Sequence, residues 1–130
     1  MNMKVIEKIV LVGLRKKRRY LVELNDEKIY LTGKSFSILS MLVLAMKLDG
    51  CGWLHASEMD DLNNFPRYSF RLKKELNLNG FESHVIENDC NGNYRINIHY
   101  ENIDYVGQMM EKFGNAYIND QMQKHNSIIF

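Results

Sequence analysis

"FPRYSFRLKKELN", Phe65 to Asn77, is the stretch on which the fold turns. At about 100° per residue, Leu72 and Leu76 fall within about 20° of Phe65, flanked by Tyr68 and Ser69. Arg67, Phe70, Arg71 and Lys74 fall on the opposite side. A single helix therefore carries a core stripe and a basic stripe. Pro66, the only proline of the chain, marks its start, because proline is tolerated in the first turn; Gly80 is its stop.

Just upstream, "WLHASEMDDL" (Trp53–Leu62) reads as a short extended piece and then a short helix, and "NNFP" as a turn. A short helix, a tight turn and a helix offering Arg67 and Arg71 make the layout of a helix-turn-helix, whose second helix enters the major groove. An arginine there can pair with guanine's two acceptors, and Phe70 can meet a thymine methyl. The helix dipole favours phosphate at the N-terminal end, where Asn63 and Asn64 add contacts. Downstream, "HVIENDCNGNYRINI" (His84–Ile98) is two strand-like runs around a turn, and Asn91-Gly92 is a pair that tight hairpins prefer because both central residues need positive φ. A hairpin after a helix-turn-helix is a wing. Asn93 and Arg95, at its tip and on its returning strand, are then phosphate or minor-groove candidates.

Toward the N-terminus, "KIVLVGL" (Lys8–Leu14), "YLVELND" (Tyr20–Asp26) and "KIYL" (Lys28–Leu31) read as three strands of an antiparallel meander. Next, Thr32 is a plausible N-cap for a helix with Phe36, Leu39, Val43 and Met46 at helical spacing, stopped by Gly50. Near the C-terminus, Ile103, Val106, Met110, Phe113 and Tyr117 form a further helical stripe. The expected fold is α+β, without the βαβ alternation of a parallel nucleotide-binding sheet. It is a winged helix-turn-helix with a small N-terminal antiparallel sheet, three helices, a C-terminal β-hairpin wing and an extra C-terminal helix. Residues 1–100 form the DNA-binding domain and 101–130 the helical extension. That extension either packs against the domain or makes a homodimer contact.

The formal charge of +1 hides an asymmetry. Lys and Arg outnumber Asp and Glu by 10 to 5 in residues 1–50, against 5 to 7 in 51–100 and 2 to 4 in 101–130. Most of the excess is "RKKRR": Arg15, Lys16, Lys17, Arg18 and Arg19 read as a polar turn and as auxiliary phosphate contacts. Two local basic clusters on a near-neutral chain imply a directed surface. The two cysteines, Cys51 and Cys90, make no disulfide framework. "MNMKVIEKIV" lacks the apolar core of a signal peptide, and "ILSMLVLAM" (Ile38–Met46) is too short to span a membrane, so a cytoplasmic setting without membrane contact is expected. Cys51, His55, His84 and Cys90 lack metal-ligand spacing, and no catalytic constellation is present, so neither a metal, a cofactor nor an enzymatic activity is expected.

Several motifs occur together in a familiar order: "LTGKSFSILSML", "GWLHASEM", "FRLKKEL" and "CNGNYRI". Over about residues 8–98 the chain resembles the winged-helix effector domain of the OmpR/PhoB type, the DNA-binding half of many bacterial response regulators. It departs from that family in the short connection between Leu62 and Phe65, where the family carries a loop that contacts RNA polymerase, and in Ser35, where the family has a capping acid. No receiver domain precedes it, so phosphorylation of an aspartate in the same chain is not the expected switch. The resemblance implies a bacterial transcriptional regulator that binds double-stranded DNA sequence-specifically. Helix 65–78 would read the major groove, and the 84–98 wing would reach the flanking backbone or minor groove. The alternative is a winged-helix interaction module whose basic face docks an acidic protein.

Overall fold

The computed structural model describes residues 2–58 and 64–106. Three strands open the fold: β1 (Ile9–Lys16), β2 (Arg19–Leu24) and β3 (Glu27–Thr32), joined as the expected antiparallel meander. Helix α1 (Gly33–Asp49) follows, then β4 (Leu54–His55), α2 (Phe65–Leu78), the hairpin β5 (Ile86–Asn88) and β6 (Asn93–Ile96), and β7 (Ile103–Tyr105). The strands form two sheets, ordered β3-β2-β1-β7 and β4-β6-β5. Strand β7 pairs parallel with β1, Ile9 opposite Ile103.

Helix α1 is the hub. Every residue from Ser35 to Met46 is buried, as expected of a helix that is apolar on most of its circumference. It packs against β2 and β3 of the first sheet, against α2, and against β6 of the second. Alternation along the strands delivers Ile9, Leu11, Val22, Leu24, Ile29 and Leu31 to this core. Thr32 is the N-cap, and Gly50 closes the helix in the left-handed conformation at φ 75°, its N–H bonded to the Met46 carbonyl.

The expected winged helix-turn-helix is not the fold observed. It required three helices, and the described residues contain two α-helices and seven strands in two sheets. The α+β class holds. Of the segment expected to supply the middle helix, Trp53–Leu62, the described part forms β4 and a 3-10 turn, Ala56–Glu58, and residues 59–62, with Asn63 after them, lie outside the described residues. Its backbone is engaged elsewhere. Ala56 N–H donates to the Gly92 carbonyl at 2.8 Å, and Ser57 N–H donates to His55 Nδ1 at 3.0 Å. These bonds tie the segment to the hairpin and turn it locally, in place of the i→i−4 ladder of an α-helix. The hairpin itself belongs to a three-stranded sheet, with β6 at its centre and β5 at one edge.

Two further expectations are revised. Ile103, which opens the C-terminal stripe, is a strand residue and fully buried beside Ile9. The rest of that stripe beyond Val106, with Met110, Phe113 and Tyr117, and the homodimer contact expected of it, lies outside the described residues. The β5–β6 turn takes positive φ at Cys90 and Gly92, not at Asn91. Asp89 organises it: its carboxylate accepts from the Asn91 and Asn93 backbone N–H groups and from the Asn93 side-chain amide. That Asx-type closure displaces the two-residue turn suggested by the Asn-Gly pair. Among the described residues no helix is long and apolar enough to cross a membrane.

Candidate nucleic-acid interface

Helix α2 has the two faces that its sequence period implies. Phe65, Ser69, Leu72 and Leu76 are buried. Arg67, Phe70, Arg71 and Lys74 are exposed, and Phe70 keeps 70% of its surface in solvent. Leu78, 77% exposed, ends the same face one turn beyond Lys74. Asn64 is the N-cap, its carbonyl accepting the Tyr68 N–H at 3.0 Å. The neighbouring Tyr68 ring carries the Lys34 ammonium of α1 at 5.2 Å from its centroid, which adds one more cation to this end of the molecule.

The second basic cluster is the β1–β2 hairpin. Arg15, Lys16, Lys17, Arg18 and Arg19 are all exposed. Lys17, at φ 59°, makes the turn, and its carbonyl accepts the Arg15 Nε–H at 2.7 Å. Lys16 Nζ stands 5.6 Å over the Tyr30 ring. Lys16, Lys17, Arg18, Arg19 and Tyr30 line an open depression of about 580 Å³.

One carboxylate joins the two clusters. Glu75, on α2, is 12% exposed at its side chain. Its Oε1 accepts the Thr32 N–H at 2.9 Å. Its Oε2 accepts the Thr32 hydroxyl at 2.7 Å and the Ser35 hydroxyl as well. The acid thus caps α1 from another helix. Nothing local does so, since Thr32 makes no side-chain cap bond of its own and the first turn of α1 holds no acid. From this anchored position Glu75 meets Arg71 Nε at 3.6 Å and Arg19 Nη1 at 3.9 Å. Two basic clusters separated by some fifty residues of chain are brought to one surface, with a single fixed acid between them.

The hairpin residues stand differently from the helix residues. Arg95 lies against Glu87, with Nε at 3.0 Å and Nη2 at 2.5 Å from Oε1, and its guanidinium stacks 4.5 Å from the Trp53 ring centroid. Only 27% of its side chain is exposed. It staples β5, β6 and the segment entering β4. The Asn93 amide donates to the Asp89 carboxylate at 2.6 Å. The same bond, with help from the Asn91 N–H, holds the Asp89 carboxyl below the ordinary aspartate value. Both candidates are engaged in holding the turn and sheet together.

The site residues that the sequence did not single out are Glu75 and Lys34. Glu75 left one trace, its i+4 spacing from Arg71, which is the spacing of an ion pair on a helix face. Its bond to α1 left none. Among the described residues no group of three or more His, Cys, Asp or Glu side chains could hold a metal ion. Cys51 and Cys90 are both exposed and are not joined in a disulfide. No protein-family model, curated protein or solved structure matches the chain.

Proposed function

We propose that this chain binds double-stranded DNA sequence-specifically and acts as a cytoplasmic transcriptional regulator. The exposed face of α2 reads the major groove, and the β1–β2 hairpin holds phosphates. The observation that carries this reading is the convergence of Arg19 and Arg71 on Glu75, which makes one basic surface out of two clusters. A helix of 14 residues is about 21 Å long and fits a groove about 12 Å wide. Arg67 and Arg71 supply the fork geometry that guanine accepts, Phe70 supplies an apolar contact for a thymine methyl, and Lys74 supplies a phosphate contact. The likeness of "FRLKKEL" to the OmpR/PhoB-type effectors favours the same role for this helix.

A second reading is supported by Phe70 and Leu78, two large apolar side chains exposed on the basic face. Such a face also suits an acidic protein with apolar anchor pockets. The test is titration with mixed-sequence duplex at two salt concentrations, followed by selection from a randomised duplex pool. On the DNA reading, affinity falls steeply with salt, by a slope of about 0.9 per phosphate neutralised. Arg71→Ala costs about 1–3 kcal/mol on the selected site and relaxes the preference at one base pair. Lys74→Ala weakens all sequences alike and reduces the salt slope by about one. A chain that scarcely binds duplex even at low salt belongs to the second reading.

A further inference from the structure

We infer that Glu75 is a positioning residue for DNA recognition: by holding Arg71 against an anchor on α1, it sets the sequence preference of the α2 face. This rests on the reading of α2 as the DNA-reading helix. An exposed arginine on a helix samples many rotamers, and each must be given up when the guanidinium docks on a base. Arg71 is exposed over more than half of its side chain, yet its Nε lies 3.6 Å from a carboxylate. That carboxylate has little freedom of its own. The Thr32 N–H, the Thr32 hydroxyl and the Ser35 hydroxyl, all at the start of α1, hold both of its oxygens. The Arg71 guanidinium is therefore paired through Glu75 with α1, whose residues from Ser35 to Met46 are all buried, while more than half of the Arg71 side chain stays open to a base. Anchored support of this kind separates a base-reading arginine from one that only attracts phosphate.

Glu75 also acts by its charge. It lies 3.9 Å from Arg19 as well, so it lowers the pull of both basic clusters on any polyanion. Holding Arg71 favours the preferred site, while the negative charge disfavours every phosphate backbone alike. The two effects make the site more selective without making it stickier.

This gives Glu75→Gln an unusual expected signature. Glutamine keeps the shape, an acceptor for the Thr32 N–H and a polar end for the two hydroxyls, but loses the charge that draws Arg71. Affinity for random duplex stays level or rises, and its salt dependence steepens. Discrimination at the base pair read by Arg71 falls by up to about fivefold, the most that an exposed ion pair can supply. In an Arg71→Ala background the same change produces no further loss of discrimination, because nothing is left to position. A purely structural role predicts the reverse: a uniform loss of affinity, equal in both backgrounds.

The experiment is selection from a randomised duplex pool, with binding to random duplex at two salt concentrations. It uses the full chain as wild type, Glu75→Gln, Arg71→Ala and the double variant. A parallel variant, Thr32→Val with Ser35→Ala, loosens the anchor without altering any charge. It is expected to relax the same base pair while leaving the salt slope unchanged, and it decides the matter if Glu75→Gln melts too low to assay. If Arg71→Ala relaxes the preference while both Glu75→Gln and the anchor variant retain it, the inference is overturned alone. If the wild-type chain binds no duplex, the functional reading fails and this inference falls with it.

Discussion

Replacing Glu75 by alanine tests whether α2 is fastened to α1 by a buried cap or by surface charge. The side chain is 12% exposed and makes three hydrogen bonds at the start of α1. Removing it leaves the Thr32 N–H without its acceptor, and a bond from N–H to a carboxylate contributes about 1.5–3 kcal/mol. The Thr32 and Ser35 hydroxyls lose less, because they are already 3.2 Å apart and can bond each other or water. Loss of a negative charge at a helix N-terminus adds about 0.3–1 kcal/mol. The pairs with Arg19 and Arg71 involve cations more than half exposed, and such pairs contribute about 0–1 kcal/mol. The expected cost of Glu75→Ala is about 2–4 kcal/mol, mostly from the cap. Urea unfolding of wild type and variant at about 0.05 and 0.5 M salt separates the sources, since the ion pairs are screened at the higher salt and the sheltered hydrogen bonds much less so. A cost that persists at high salt is expected. A cost that shrinks below about 1 kcal/mol there would refute the cap as the main fastening.

Three further outcomes are expected. Leu72 is fully buried on the core stripe of α2, so Leu72→Ala should destabilise the fold by about 2–5 kcal/mol, and an unchanged thermal melt would show the helix phase to be wrong. The Ser40 hydroxyl is buried in α1 with no hydrogen-bond partner among the described residues; Ser40→Ala should be neutral or stabilise by up to about 1 kcal/mol in urea, and a clear loss would reveal an acceptor for it. The Asp89 carboxyl is held below its ordinary value of 3.8, chiefly by the Asn93 amide. The ionised form is therefore the one the turn favours, so its contribution is complete above about pH 3.8 and is lost as the pH falls through the depressed value. Asn93→Ala should move the Asp89 carboxyl titration, followed by NMR, back up toward 3.8, and an unmoved titration would assign the effect to the backbone bonds.

Local pattern determined a good part of this protein. The period of Phe65, Leu72 and Leu76 decided which face of α2 is buried and left Arg67, Phe70, Arg71 and Lys74 outside. Alternation in β1, β2 and β3 decided the antiparallel meander, and Thr32 and Gly50 decided the ends of α1. These features depend on neighbours a few residues apart, and a sequence records such neighbours directly. The tertiary structure decided the rest. The Ala56–Glu58 segment has enough helical character to be read as a helix, but its backbone bonds to the hairpin across some thirty-five residues, and that competition is invisible in a window of ten. Ile103 fits a helical stripe, yet pairing with Ile9, more than ninety residues away, makes it a strand. Ser35 stands where an acid would cap α1, and the missing acid arrives from α2 as Glu75. Each is a long-range pairing whose partners share no local period, so only the folded chain, by bringing the start of α1 against the C-terminal half of α2, makes one basic surface of two clusters and places a fixed carboxylate at their junction.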